Sequence, residues 1–323
     1  MTERTERGDL TRRLSRLSPE KRELVQRLLV VDGAASGAAP RPPRGADGLR
    51  ITRDALGSGA EVAPAERLYD LVNRNLDESP YAAHSVFLNL GYVANESRRL
   101  SPIELPRHCL NRTCMELALE TIGDVSLDGQ EVADVGCGRG GTVVVMKAYY
   151  SPRRVVGVDL SRSAVAFCRR THDLPNVHFV QGDAQALPLR SGSFRVVTNI
   201  ESASGYPDVG RFYREVSRVL RREGLFLYAD VVSHGQVGQR RRQLQEIGFE
   251  IESERDVTSN VLLSCDESGR VHRAALGQGH EEQVLANFLG LPDSEIYRRM
   301  ASRDLLYLIY KARKAGAPAR VGP

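Results

Sequence analysis

Glu131-Val132-Ala133-Asp134-Val135-Gly136-Cys137-Gly138-Arg139-Gly140-Gly141 (EVADVGCGRGG, 131–141) is the stretch on which the fold turns. A short apolar run ends at Asp134 and reads as a buried strand. The glycine loop after it opens a helix over 141–149. Glycines belong here because a side chain would block a ligand's approach to the backbone. Gly136, Gly138 and Gly141 satisfy the G-x-G-x-x-G spacing of dinucleotide sites. Alone, the stretch therefore fits a tight turn, a nicotinamide or flavin site, or another nucleoside-bearing ligand.

Outward from the loop, the same alternation repeats. RVVGVD (154–159) leads to a helix over 161–171, and VHFVQGD (177–183) follows. FRVVTNIE (194–201) leads to a helix over 208–221 and then LFLYADVV (225–232). GFEIESERDV (248–257) and DLLYLIYKARK (304–314) close the series. Strands alternating with helices predict a Rossmann-like, doubly wound α/β fold with a mostly parallel seven-stranded sheet.

The core is expected over 127–261 plus 304–314. A helical cap is expected over 63–126, with a second part over 262–303 carrying EEQVLANFLGL and DSEIYRRMAS. Residues 33–62 are rich in Gly, Ala and Pro and read as a linker. Residues 1–32 read as a helical appendage. Leu10, Leu14, Leu17, Val25, Leu28 and Leu29 recur there at roughly helical spacing.

Composition excludes several classes. Hydrophobic residues at 41% and charged residues at 27% belong to an ordinary globular chain. No apolar run approaches the ~20 residues of a membrane helix, and the first residues lack an apolar signal core. Cys109, Cys114, Cys137, Cys168 and Cys265 are odd in number and lack CxxC pairing. That speaks against a disulfide framework or zinc site and fits a reducing cytoplasm. A net charge of +4 without a stacking-aromatic motif, and without Trp, gives no nucleic-acid footprint.

Three acids separate the readings of the glycine loop. Asp134 precedes the first glycine by two residues, where a cationic methionine moiety needs nearby negative charge. Asp159 ends the second strand and can accept both ribose hydroxyls. Asp183, in Gln181-Gly182-Asp183-Ala184, ends the third and can accept an adenine amino group, while a neighbouring N–H reads a ring nitrogen. A dinucleotide site does not require that third acid. Acids at three successive strand ends, on the carboxyl edge where such sheets bind ligands, point to S-adenosylmethionine.

On these residues the chain, over about 63–314, resembles the class I methyltransferase superfamily. FLNLGYV (87–93), NIESASGYPD (199–208) and FYREVSRVLRREGLFLYADV (212–231) narrow the likeness. They resemble polyketide-synthase O-methyltransferase domains and phthiotriol-type small-molecule methyltransferases. The resemblance implies that Asn89, Gly91 and Tyr92 close over the cofactor's methionine end. Tyr92 is also read as packing cap onto core. The expected cofactor set is Tyr92, Asn89, Asp134, Gly136, Gly138, Gly140, Asp159, Leu160, Asp183, Ala184 and Asn199. LSPEKRELVQRLL (17–29) resembles helical linkers beside carrier and condensation domains, or is an amphipathic helix packing on its own domain.

Methyl transfer is an in-line displacement, and a hydroxyl acceptor must also lose a proton. Where the resembled enzymes commonly read E-S-S-H-x-Y-P, this chain has Glu201-Ser202-Ala203-Ser204-Gly205-Tyr206-Pro207. Ser204 replaces the histidine. Glu201, Tyr206, His108 and His234 are the replacement candidates for base or orienting group, with His84 behind them. Glu201 is equally readable as a cap-anchoring carboxylate.

The expectation is an O-methyltransferase acting on a largely apolar, polyketide-like small molecule of secondary metabolism, presented free or on a carrier protein, without a metal. C- or N-methylation, a cofactor-dependent rearrangement or cyclisation, and a non-catalytic scaffold are the alternatives. Sequence says nothing of oligomeric state.

Overall fold

The computed structural model of the chain describes residues 73, 85–95, 99–106, 109, 111–275, 286 and 289–315. The appendage, the linker, His84, His108 and most of EEQVLANFLGL lie outside the described residues. The elements are α1 (Arg112–Ile122), β1 (Glu131–Val135), α2 (Gly141–Tyr149), β2 (Arg154–Asp159), α3 (Arg162–Thr171), β3 (Val177–Gln181) and β4 (Phe194–Ile200). They continue with α4 (Val209–Val219), β5 (Leu220–Ser233), α5 (Val237–Ile247), β6 (Phe249–Asp256), α6 (Thr258–Ala275), α7 (Glu295–Ala301) and β7 (Leu305–Lys314).

The sheet has seven strands in the order β3-β2-β1-β4-β5-β7-β6. β1 through β5 pair in parallel. β7 is antiparallel to both its neighbours, β5 and β6. β1 lies between β2 and β4 and is buried along its whole length, with Asp134 one residue before its end. Alternate residues of one strand feed opposite layers. Val196 joins Met115 of α1, Val143 of α2, Val165 of α3 and Val261 of α6. Val197, next along β4, joins Phe212 of α4 and Leu244 of α5. Helices thus cover both faces, as the alternation predicts.

Local chemistry sets the helix starts. Ser161 caps α3, its hydroxyl accepting from Ala164 N at 3.1 Å. Asp208 caps α4, accepting from Arg211 N at 2.8 Å. The cap segment 99–106 is tied down by Glu120 of α1, which is fully buried. Its carboxylate accepts from Leu100 N at 3.2 Å, Ser101 N at 3.3 Å and Arg255 of β6 at 3.0 Å. A charge so buried is tolerable because every side of it is answered. All five cysteines are free.

Candidate active site

A cavity of about 270 Å³ opens at the carboxyl edge of the sheet, above β1, β2 and β4. Gly136 and Gly138 form its floor and lie in the left-handed region, at φ 71° and 50°. A Cβ on Gly136 would overlap Ser202 Oγ, so only glycine fits under that turn. Gly141 has a different use. Its N–H donates to Val86 O at 3.1 Å, and a Cβ there would lie 2.7 Å from that oxygen. The third glycine therefore lets the cap segment 85–91 press onto the start of α2.

Acids stand around this floor. Asp159 Oδ2 accepts from Gly138 N at 2.7 Å, and its Oδ1 accepts from Ser161 N at 2.9 Å. Asp159 and Leu160 both line the cavity, as do Asp183 and Ala184. Asp183 also caps the short turn Ala184–Ala186, accepting from Gln185 N at 2.8 Å. Asp134 lies beneath the loop rather than on the cavity wall. Thr198 donates to its Oδ1 at 2.6 Å, while its buried Oδ2 has no partner among the described residues. Burial pushes its pKa up to about 7, against the hydrogen bond from Thr198.

The acceptor end is built by β4, β5 and β7. Glu201 follows β4 directly, with φ 50°. A non-glycine residue in that region is strained, and such strain collects at working sites. Glu201 N donates to Ala229 O at 2.8 Å, which fixes the backbone. Its Oε1 accepts from Leu90 N at 2.8 Å and from the Tyr307 hydroxyl at 2.7 Å. Glu201 as a residue borders the cavity. Burial pushes Glu201 up to about 8, opposed by those two donors and reinforced by Asp230. Val86, Phe87, Leu88, Leu90, Ile200, Val231 and Ile296 give the cavity its apolar lining.

Other expected residues fall elsewhere. Asn89 lines the cavity, its Oδ1 accepting from Gly91 N at 3.1 Å. Tyr92 is fully buried in the core, its N–H donating to Thr113 O at 2.9 Å, and does not border the cavity. Its packing role is the one the geometry displays. Gly140, at φ 82°, precedes α2 and lies behind the loop, near His172 and Cys168. Asn199 is buried, its Nδ2 donating to Val135 O at 2.7 Å and so tying β4 to the end of β1. Tyr206 borders the cavity, with its hydroxyl 2.5 Å from Ser202 Oγ. Ser204 is exposed and lines the cavity, its N–H donating to Asp230 at 2.7 Å. His234 is exposed, in the turn His234–Gln236, and is not among the lining residues.

Sequence reading missed three residues. Asp230 and Arg139 line the cavity, and Tyr307 holds Glu201 from behind. Arg139 is almost wholly buried. Its guanidinium donates to Ser85 O at 2.6 Å and Asn73 O at 3.3 Å and lies 3.5 Å from the centre of the Phe167 ring.

Comparison with known proteins fixes the family. A family profile described as a methyltransferase domain matches residues 133–228. The fatty-acid O-methyltransferase of Mycolicibacterium smegmatis is 32% identical over 216 residues, covering 67% of this chain and 78% of that one. The phthiotriol/phenolphthiotriol dimycocerosates methyltransferase of Mycobacterium tuberculosis is 30% identical over 249 residues, covering 75% and 88%. This chain belongs to the class I S-adenosylmethionine-dependent methyltransferases. Among solved structures, the [4+2]-cyclase SpnF shares the fold with a TM-score of 0.62 at 21% identity, over 78% of this chain and 95% of that one. Geranyl diphosphate methyltransferase shares it with a TM-score of 0.55 at 20% identity, over 77% and 98%.

S-adenosylmethionine is thus the methyltransferase's cofactor, and when bound it supplies an electrophilic methyl group on a sulfonium. The site fits it. The floor is bare backbone at Gly136 and Gly138, both held in the left-handed region. An unpartnered buried carboxylate oxygen lies beneath, and two further acids stand at the ends of the next strands.

Proposed function

We propose that this methyltransferase O-methylates a hydroxyl on a largely apolar, lipid- or polyketide-like small molecule, with Glu201 as the base. The observation that carries this reading is the Glu201 carboxyl itself. One oxygen is pinned by two donors, the residue borders the cavity, and burial raises its proton affinity into the working range of a general base. The apolar lining beside it, and the lipid acceptors named for two relatives, support an apolar partner.

In this reading Asp159 accepts the ribose hydroxyls, and Asp183 with the Ala184 N–H reads the adenine. Asn89 and the glycine loop hold the methionine end, with the Asp134 charge behind it. Tyr307 is a positioning residue. Its hydroxyl favours the ionised form of Glu201, so Tyr307→Phe should shift the rising limb of the pH–rate profile to higher pH. Turnover near neutral pH should fall by about tenfold. Cofactor affinity should not move; a parallel loss of affinity would mean general damage.

Asp183 is exposed, and one of its oxygens already serves Gln185. Asp183→Ala should therefore weaken cofactor binding only several-fold, on the order of 1 kcal/mol in a calorimetric titration. The acceptor reading is tested with methyl-labelled cofactor and a panel of long-chain alcohols and hydroxylated polyketides. Label in an ether product supports it. Label on carbon or nitrogen, or an acceptor rearranged without label, overturns it.

A further inference from the structure

Asp230 is a second carboxylate on the acceptor end that the reaction, as proposed, does not use. β4 and β5 pair in register with Ile200 opposite Ala229, so Glu201 and Asp230 follow side by side. Asp230 is nearly sealed from solvent and borders the cavity. Its Oδ1 accepts from Val231 N at 2.8 Å and its Oδ2 from Ser204 N at 2.7 Å. Those neutral donors hold the carboxylate in place; the Arg240 guanidinium also acts on it, but burial outweighs these favourable partners. Asp159 and Asp183 add negative charge at the cofactor end. Among the described lining residues Arg139 is the one Lys or Arg, and its guanidinium is given to two backbone carbonyls and the face of Phe167. The described wall therefore offers no Lys or Arg to an acidic acceptor.

We infer that the acceptor site takes a neutral hydroxyl and, in contrast to the relative named for fatty acids, turns away carboxylate- and phosphate-bearing molecules, with Asp230 as the residue that sets this choice. The inference rests on the O-methylation reading and names its acceptor class. An anionic head beside Glu201 and Asp230 meets like charge in a poorly screened cleft. An ionised acid also has no proton to give, so it has no use for Glu201. A neutral alcohol does. Its oxygen lone pair forms the new bond to the methyl carbon. The carbon–sulfur bond breaks with its electron pair going to sulfur, which becomes a neutral thioether. The hydroxyl proton passes to Glu201 Oε2. The sulfonium charge and the carboxylate charge vanish together, while Asp230 keeps its charge.

The test is calorimetric binding of octanol, octanoate and octyl phosphate to the full chain saturated with S-adenosylhomocysteine, at about pH 8. Octanol should bind at least about tenfold more tightly than either anion. Asp230→Asn should narrow the gap to octanoate at least about fivefold and leave octanol within about threefold. A melting curve of the variant with the same nucleoside checks that it is folded; if it is not, Asp230→Ser serves instead. Octanoate binding as tightly as octanol, a gap unchanged by the variant, or no binding of any of the three would overturn the inference. Labelled methyl transfer to octanol is measured separately. If the binding order holds but no ether forms, O-methylation fails while the selectivity stands.

Discussion

Glu201→Gln should lower turnover by about 10²–10⁴, the contribution of a positioned general base, while cofactor affinity stays within about threefold. Glutamine keeps an oxygen for Leu90 N and the Tyr307 hydroxyl, so the change removes charge rather than shape. The pH dependence follows from the surroundings of Glu201. Asp230 of β5, Cys114 of α1, Cys265 of α6 and Tyr307 of β7 face it, and burial outweighs its two donors. The carboxyl must ionise to accept a proton, so wild-type turnover should rise with pH up to about 8, and the variant should lose that limb. Stability moves the opposite way. A carboxyl whose folded pKa lies above its ordinary 4.5 contributes stability that is fully present below 4.5 and is lost as pH rises through about 8. Glu201→Gln should therefore melt at a higher temperature than wild type above that pH. Near-normal turnover in the variant would leave alignment alone to drive the reaction, and Glu201 would be a cap anchor.

Asp159→Ala should weaken S-adenosylmethionine by about a hundredfold or more. Two ribose hydroxyls would lose an ionised acceptor, at about 1.5–3 kcal/mol each. The geometry adds a second loss. The same carboxylate pins Gly138 N and Ser161 N, joining the glycine loop to the start of α3. Asp159→Asn separates the two contributions, because its amide oxygen can still serve one of those backbone donors. A titration in which Asp159→Ala binds as wild type would place the ribose elsewhere.

The cofactor half of this site was legible because its signals are local. Each acid at the cavity edge ends its own apolar run, and glycines mark the one loop where a side chain cannot stand. Helix bounds were legible for the same reason: Ser161 and Asp208 announce α3 and α4. The acceptor half is assembled from distant pieces. Tyr307 reaches Glu201 across 106 residues only because β7 inserts beside β5. In LYADVV, Asp230 reads as one polar position in a strand; its neighbour Glu201 is supplied by pairing, which composition does not reveal. Arg139 was illegible for another reason. An arginine in a glycine loop reads as solvated, whereas here a cap segment and Phe167 enclose it. His234 directly follows β5, yet it is exposed in the turn there and is not among the lining residues.

The insertion of β7 also orders events during synthesis. β6 lies at the edge of the sheet and pairs with β7 alone. A nascent chain released through Asp256 already holds the glycine loop, Asp159, Asp183 and Glu201. Its β6 still has no strand to join, and Glu201 lacks the hydroxyl that steadies it. Residues 305–314 must then pair with the edge of β5 before β6 can join the sheet, a contact of long sequence separation and so a slow one to form. The glycine loop and its acids are complete in the chain well before Tyr307 reaches Glu201, so on the proposed roles competence to bind precedes competence to react.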